Sequence, residues 1–242
     1  MRCDFVGAVD SLRARSFGAA AQLYAAARPS YPVDAVRLVV PADARRVLDL
    51  GAGTGKLTSV LLDLGHEVVA VEPDDDMRAL IDPRAEVLAG TAEDVPVAEA
   101  SVDAVVVGQA WHWFDEAAAL RSVRRVLRPG GTLGLLWNVL DDTAGWPQAL
   151  AQHVGMEDRL SLVNRDDTQP TAATTGRWRR QLVRHEQAAD AELVLANLAS
   201  RSILIVMPDG ERAAHLEQAR ALLPDGDIVL PWVCDAWVTT LT

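Results

Sequence analysis

A glycine-rich loop between residues 49 and 55 points most directly to chemistry. It reads Asp-Leu-Gly-Ala-Gly-Thr-Gly and overlaps the end of an apolar run, Val47–Leu50. Glycines at a strand-to-helix turn allow a ligand to approach the backbone, and the amides at a helix N-terminus favour polar or anionic groups. The loop therefore predicts a binding site for a polar ligand at the carboxyl end of a strand.

Two nucleotide-binding motifs can be compared with this loop. A P-loop would need a glycine where Leu50 stands and a magnesium-binding hydroxyl where Leu57 stands, so that motif is excluded. The dinucleotide fingerprint would need its third glycine at Lys56, which weakens it and leaves it open. Glu72, about 20 residues beyond the loop, is placed to accept hydrogen bonds from both hydroxyls of a ribose.

A second group of candidate residues lies in the string Gly-Gln-Ala-Trp-His-Trp-Phe-Asp at 108–115. Aromatic ring faces attract cations, which suits Trp111 and Trp113 to a binding site, although one of the two can instead belong to the core. His112 is a candidate general base at neutral pH, or equally a structural hydrogen-bond donor. The other four histidines fall on a loop or on peripheral segments.

Alternating apolar runs and helical patterns between Arg45 and Asn138 predict the elements that position these residues. Such alternation is typical of a parallel sheet covered by helices, with its ligand crevice at the carboxyl ends of the strands. The predicted strands are 47–50, 67–72, 85–89, 102–107 and 132–137, and the predicted helices are 56–64, 73–80 and 116–127.

The remaining segments predict a division into four parts. They are an N-terminal helical lid or flank at 1–44, a cofactor-binding core at 45–140, a substrate-side insertion at 141–207, and a helix and strand at 208–242 that complete the sheet. Further helices are expected at 17–27, 33–40, 191–199 and 210–223. The last strand, at 228–238, pairs with either 182–186 or 203–207, and the sequence does not decide between them.

Composition limits the classes of function. The chain has 242 residues, 50% of them hydrophobic, and a formal net charge of −11, which disfavours nucleic acid and anionic membranes as partners. Cys3 and Cys234 are the only cysteines, and no clustered ligand set predicts a metal site. The sequence shows neither a signal peptide nor a membrane span. These features predict a cytoplasmic protein whose partners are neither nucleic acids nor membranes. We expect it as a monomer or homodimer.

Four motifs on consecutive predicted strands carry a family resemblance. They are Asp49–Gly55, Glu72, Gly90-Thr-Ala-Glu-Asp94 and Leu127-Arg-Pro-Gly-Gly131. Their order and spacing resemble the class I S-adenosylmethionine-dependent methyltransferases over residues 45–138. The string at 108–115, together with Phe17, Tyr24 and Arg28-Pro-Ser-Tyr-Pro32, is similar to the small-molecule subgroup found beside trans-aconitate methyltransferases. The resemblance implies a Rossmann-like, doubly wound sheet of about seven strands, mostly parallel with the last strand antiparallel.

The resemblance also implies roles for individual residues. Asp94, with Glu93 beside it, corresponds to the acid that accepts the adenine amine, and Arg28 could pair with the methionyl carboxylate or with an acidic acceptor. His112 is the expected catalytic residue, and Tyr31, Trp111 and Trp113 are expected in the substrate pocket. The expected cofactor-binding residues are Asp49, Gly51, Ala52, Gly53, Glu72, Pro73, Met77, Ala92, Glu93, Asp94, Gln109, Ala110, Tyr24 and Arg28.

The function implied is methyl transfer from S-adenosylmethionine to a small-molecule acceptor by in-line displacement. A carboxylate or hydroxyl oxygen is the favoured acceptor, with S-adenosylhomocysteine as product. Two alternatives stay open at this point. One is a non-catalytic regulatory protein that binds the cofactor, and the other is a nicotinamide-dependent oxidoreductase.

Overall fold

The computed structural model describes residues 28–153, 177–200 and 202–241. Seven strands form one sheet: β1 Arg46–Leu50, β2 Glu67–Val71, β3 Glu86–Leu88, β4 Val102–Gly108, β5 Leu127–Leu140, β6 Arg179–Ala189 and β7 Ile228–Thr240. Their order across the sheet is β3-β2-β1-β4-β5-β7-β6. The predicted helix at 17–27, together with Phe17 and Tyr24, lies outside the described residues.

The first five strands run parallel, as their apolar sequences predict, and the last ones do not. The antiparallel direction of β7 against β5 follows from two backbone hydrogen bonds. Asp141 donates to Pro231 at one end of the pair and Leu241 donates to Gly131 at the other, at N···O distances of 2.9 and 3.2 Å. The predicted doubly wound sheet with an antiparallel last strand is confirmed.

The partner of β7 is the strand that the sequence left undecided. Of the two candidates, 182–186 belongs to β6, which lies beside β7, whereas Ser202–Ile205 is helical. The segment from Arg179 to Ala189 alternates between more and less buried residues, which is the pattern of a strand at the edge of a sheet.

Most helices lie where the sequence predicts them, but the candidate strand at 203–207 is wrong, because Ser202–Ile205 is helical. The helices are α1 Val33–Val39, α2 Lys56–Asp63, α3 Asp75–Arg78, α4 Glu116–Val126, α5 Gly145–His153, α6 Ala191–Ala199, α7 Ser202–Ile205 and α8 Asp209–Arg220. Asp74, Asp115 and Asp190 each accept a backbone N–H in the first turn of α3, α4 and α6. Such side-chain caps explain why these three helices begin where they do. Among the described residues, no helix is long and apolar enough to span a bilayer.

The chain divides into two compact units. Within the described residues, the first unit holds 30–138, 177–183 and 234–241, and the second holds the remainder. In the first unit the parallel strands bury apolar side chains on both faces, in two clusters that include Leu48 and Leu135 on one side and Val47 and Val106 on the other. The second unit has its own core around Trp232. The four-part division drawn from the sequence stays a prediction.

Candidate active site

The glycine loop has the left-handed backbone that its composition predicts. Gly51, Gly53 and Gly55 have φ values of +71°, +57° and +80°, which other residues rarely adopt. The amides of Gly51 and Ala52 both donate to the Val71 carbonyl, at 2.9 and 3.1 Å. A Cβ added to Gly51 would lie 2.9 Å from the Ala110 Cβ, so the loop needs glycine for close packing as well as for its φ.

Glu72 is directed into this loop from the end of β2. Its side chain is only 7% exposed. Its Oε2 accepts from the Gly53 amide at 2.8 Å, and its Oε1 accepts from the Asp74 amide at 3.0 Å. Burial raises the pKa of Glu72, while these two amides lower it. A carboxylate has about four lone pairs, so both oxygens can still accept ribose hydroxyls while the amides hold them in place.

Asp49 lies deeper, at the end of β1, and is 1% exposed. Its Oδ2 accepts from the Thr58 hydroxyl at 2.6 Å, whereas its Oδ1 is buried and has no partner. The Thr54 hydroxyl oxygen in the same loop is also buried without a partner. Burial, with a smaller contribution from the charge of Glu72, raises the pKa of Asp49 to about 7. Unsatisfied buried polar atoms in a ligand-binding loop fit a ligand that carries its own polar groups.

The segment after β2 contributes an apolar side chain to the same place. Met77 is buried on α3, and a Cβ added to Gly53 would lie 3.9 Å from its sulfur atom. Pro73, which precedes the helix, is exposed. Met77 therefore lies beside the glycine loop, where a flat apolar group such as a purine could pack on it.

The acidic pair after β3 separates into two different environments. The Glu93 Oε1 accepts from the Asp115 amide at 2.9 Å, and the Glu93 carbonyl accepts from the Ser122 hydroxyl at 2.7 Å, so Glu93 is bound to α4. Asp94 is exposed, and only its backbone amide is engaged, by Thr91. Ala92 is buried in the core. Both acids are exposed, and Asp94 is the one whose carboxylate is not bonded to α4.

The residues that follow β4 form what we call the acceptor-side loop, residues 109–114. It begins at Gln109, which has a φ of +60° although it is not a glycine. The Gln109 amide donates to the Leu136 carbonyl at 2.9 Å, and its side-chain Nε2 donates to the Asn138 carbonyl at 2.7 Å. Left-handed backbone at a residue other than glycine or asparagine is uncommon, and such strain is concentrated at functional sites.

The two tryptophans of this loop have different environments. Trp111 is 5% exposed, belongs to the core and packs edge-on against Phe114 with ring centroids 5.7 Å apart. Trp113 is half-buried, and its ring centroid lies 4.7 Å from that of His112, which is exposed. The structure therefore assigns the core role to Trp111. Trp113 and His112 face outward from the same 3₁₀ turn, 111–113.

The flank before α1 supplies Tyr31 and Arg28. Tyr31 is buried, and a Cβ added to Gly108 would lie 2.8 Å from its Cζ, so Tyr31 packs directly on the end of β4. In the second unit, Arg28 donates from Nε to the Ser200 hydroxyl at 3.1 Å and from a terminal nitrogen to the Ser200 carbonyl at 3.3 Å. These bonds place the Arg28 guanidinium at the C-terminal end of α6, where a cation is favourable.

Sequence reasoning missed Phe114, Thr54 and Asn138. A Cβ on Gly51 would lie 3.1 Å from the Phe114 ring, so Phe114 connects the acceptor-side loop to the glycine loop. Asn138 is 5% exposed within β5, and its Nδ2 donates to the Ser30 carbonyl at 3.1 Å. A polar residue inside the otherwise apolar run 133–140 was the signal available for Asn138. The part of the chain that the structure describes contains no group of three or more metal-ligating side chains.

Comparison with known proteins identifies the family. A model of the Methyltransferase domain matches residues 48–135. An uncharacterized methyltransferase from Mycobacterium tuberculosis (strain H37Rv) is 44% identical over 217 residues, which cover 86% of this chain and 85% of that protein. The chain belongs to the class I S-adenosylmethionine-dependent methyltransferases. This decides against the nicotinamide-dependent oxidoreductase that the loop alone left open.

Solved structures agree with this methyltransferase in fold. One from Anaeromyxobacter dehalogenans, named as a type II methyltransferase, is 24% identical, with a TM-score of 0.66 over 88% of this chain and 97% of that one. Another, from Anabaena variabilis and named for an antibiotic biosynthesis pathway, is 23% identical, with a TM-score of 0.60 over 86% and 96% of the two chains. The methyltransferase uses S-adenosylmethionine as its cofactor.

Proposed function

We propose that the methyltransferase acts on an oxygen atom of a small molecule, either a carboxylate or a hydroxyl, by in-line displacement. The observation that carries this proposal is the pair His112 and Trp113, which project from the 3₁₀ turn directly after β4. In open α/β sheets, ligands bind outside the carboxyl ends of the strands. An exposed imidazole at this position could take one proton from a hydroxyl acceptor, and a carboxylate acceptor has no proton to lose. The pair therefore supports either kind of oxygen acceptor.

The cofactor would be held by residues already arranged around the glycine loop. Glu72 would accept the ribose hydroxyls, and Gly51, Ala52 and Gly53 would allow the methionyl part to approach the backbone. The unpartnered Asp49 oxygen would accept from the ammonium group of the cofactor. Met77 and Ala92 would line the adenine side, with Asp94 accepting the adenine amine. The other proposed cofactor contacts are Pro73, Glu93, Gln109 and Ala110. The roles of Tyr24 and Arg28 at the cofactor stay predictions.

Once bound, the cofactor supplies an electrophilic methyl group on a sulfonium. The chain's own residues then have to align the acceptor and exclude water, and positioning of this kind can contribute roughly 7–11 kcal/mol. His112 would take the proton from a hydroxyl acceptor, whereas a carboxylate is already ionised and needs no base. Trp113 and Tyr31 would provide aromatic surface for the acceptor. The role proposed for Trp111 is indirect, because its ring is buried in the core.

The net charge of −11 supports a small-molecule acceptor rather than a nucleic acid or an anionic membrane surface. A negatively charged surface repels a phosphate backbone over about 8–10 Å at ordinary ionic strength. A cytoplasmic monomer or homodimer is part of the same proposal.

Two assays on the full chain test the proposal. Titration calorimetry with S-adenosylhomocysteine first measures the cofactor site without any acceptor. Small carboxylic acids and phenols are then screened for methyl transfer from labelled S-adenosylmethionine. Methylation of an amine or thiol alone would overturn the assignment to oxygen.

Comparing the two acceptor classes distinguishes a catalytic role of His112 from a structural one. We expect His112→Gln to slow methylation of a phenol by about a hundredfold and to leave methylation of a carboxylate nearly unchanged. The carboxylate reaction is the internal control, because it uses the same protein and cofactor. An equal loss with both acceptors would show that His112 is structural.

A further inference from the structure

The first residue of the acceptor-side loop, Gln109, has a strained backbone conformation. Gln109 and Ala100 are the two residues other than glycine, within the described ranges, that have a positive φ. Ala100 is exposed in a connecting segment, whereas Gln109 is part-buried and immediately precedes the 3₁₀ turn. Such a conformation persists only where surrounding contacts enforce it.

Contacts from β5 enforce it on one side. The Gln109 amide and side chain are both bonded to β5, to the carbonyls of Leu136 and Asn138. The buried side chain of Asn138 in turn donates to the Ser30 carbonyl. Because the same residue accepts from Gln109 and donates to Ser30, Asn138 connects the flank before α1 to the start of the acceptor-side loop.

Tyr31 holds the chain immediately before Gln109. Its ring packs so closely on Gly108 that a Cβ there would lie 2.8 Å from the ring carbon Cζ. At the far end of the loop, Phe114 packs on Gly51. The acceptor-side loop is thus anchored to the flank at its start and to the glycine loop at its end.

We propose that Asn138 and Tyr31 are positioning residues for methyl transfer, which hold the acceptor-side loop in its working geometry through Gln109. This inference rests on the proposed function, in which His112 and Trp113 face the acceptor. Most of the proposed cofactor contacts lie beyond the other anchor, at the glycine loop and Glu72, and neither Asn138 nor Ser30 is among them. Loosening the flank therefore disturbs the acceptor side and leaves cofactor affinity intact.

Three variants of the full chain test this. Asn138→Ala removes the bond to Ser30, and Gln109→Gly removes the side-chain bond while relieving the strain, so that the fold is retained. Ala100→Gly is the matched control, because it relieves the same kind of backbone strain away from the loop. Hydrogen–deuterium exchange is read on the peptide that covers residues 109–114. We also measure affinity for S-adenosylhomocysteine by calorimetry, and turnover with the acceptor that the screen described above identifies.

In both loop variants we expect exchange about tenfold faster than in the wild type and kcat at least about tenfold lower. In Asn138→Ala the dissociation constant for S-adenosylhomocysteine should stay within about twofold, because Asn138 is not a proposed cofactor contact. Ala100→Gly should match the wild type in all three readouts. Unchanged exchange in Gln109→Gly, a parallel loss of cofactor affinity in Asn138→Ala, or the same effects in Ala100→Gly would each overturn the proposal. If the wild type methylates no oxygen acceptor, the proposed function fails, and exchange with calorimetry still decides the positioning role.

Discussion

The glycine loop and the acceptor-side loop lie side by side in the same unit, and each contains left-handed backbone. In residues 51–55 three glycines have positive φ at little steric cost, whereas in residues 109–114 the same backbone region is occupied by Gln109. The conformation of the glycine loop is therefore determined by its local sequence. The conformation at Gln109 exists because Leu136 and Asn138 hold it, so it depends on contacts from a distant part of the chain. Cofactor binding thus rests on local conformation, and acceptor positioning rests on tertiary contacts.

The largest effect is expected where the acceptor-side loop meets the core. Trp111→Ala should lower the free energy of unfolding by about 3–5 kcal/mol, because a large buried ring is lost and leaves a cavity. Denaturation with urea measures this. Trp113→Ala is the matched change at the half-buried ring and should cost clearly less. Equal losses would mean that the two rings are equivalent and that neither faces the acceptor.

A pH experiment tests the buried carboxylate below the glycine loop. The pKa of Asp49 is raised to about 7, so between pH 4 and pH 7 the folded chain keeps a proton that the unfolded chain has released. This stabilisation is complete below about pH 4 and is lost as pH rises through 7. At about 1.4 kcal/mol per pKa unit, the total is on the order of 4 kcal/mol.

Asp49→Asn removes this titration while keeping an oxygen for the Thr58 hydroxyl. The buried amide costs the variant a constant amount of stability, so the informative quantity is how the difference from wild type changes with pH. We expect that difference to shift in favour of the variant between pH 4 and pH 8, measured by thermal melting without cofactor. A difference that stays constant would show that Asp49 titrates normally.

Substitution in the glycine loop tests whether its conformation is local. Gly51→Ala should weaken binding of S-adenosylhomocysteine by about 2–3 kcal/mol, because the new methyl group meets Ala110 and the left-handed backbone becomes strained. Gly65→Ala provides the control, since Gly65 has a φ of +92° with nothing within 4 Å of an added Cβ. It should bind the ligand like the wild type. Calorimetry distinguishes the two, and normal binding by Gly51→Ala would remove the close-packing argument.

A smaller effect is expected from Glu72→Gln. The amide group of glutamine can accept only through its oxygen, so one of the amides of Gly53 and Asp74 loses its partner, and a charge-assisted bond to the ribose is lost. Affinity for S-adenosylhomocysteine should fall by about 1.5 kcal/mol. Glu86→Gln, at an exposed ion pair with Arg46, is the control and should leave affinity unchanged. If Glu72→Gln bound S-adenosylhomocysteine with wild-type affinity, Glu72 would only hold the glycine loop and would not bind the ribose.

The sequence by itself determined the order of strands and helices from β1 to β5, the left-handed glycine loop and the position of Glu72 at the end of β2. Each of these follows from residues that are neighbours in the chain: apolar runs predict parallel strands, and closely spaced glycines predict a turn that backbone sterics otherwise forbid. The same local signals located the acceptor-side loop. They could not distinguish the two tryptophans, because adjacent residues of one type carry the same local preferences.

Only the tertiary structure decided which tryptophan is buried, which segment pairs with β7, and that Arg28 lies at the end of α6. It also revealed the strain at Gln109 and the two bonds of Asn138, whose partners Gln109 and Ser30 are 29 and 108 residues away along the chain. Contacts over such separations depend on how the sheet assembles, and no periodicity or motif within one segment encodes them. In this methyltransferase the conformation of the glycine loop can therefore be predicted from the sequence, whereas the geometry of the acceptor-side loop depends on the tertiary structure.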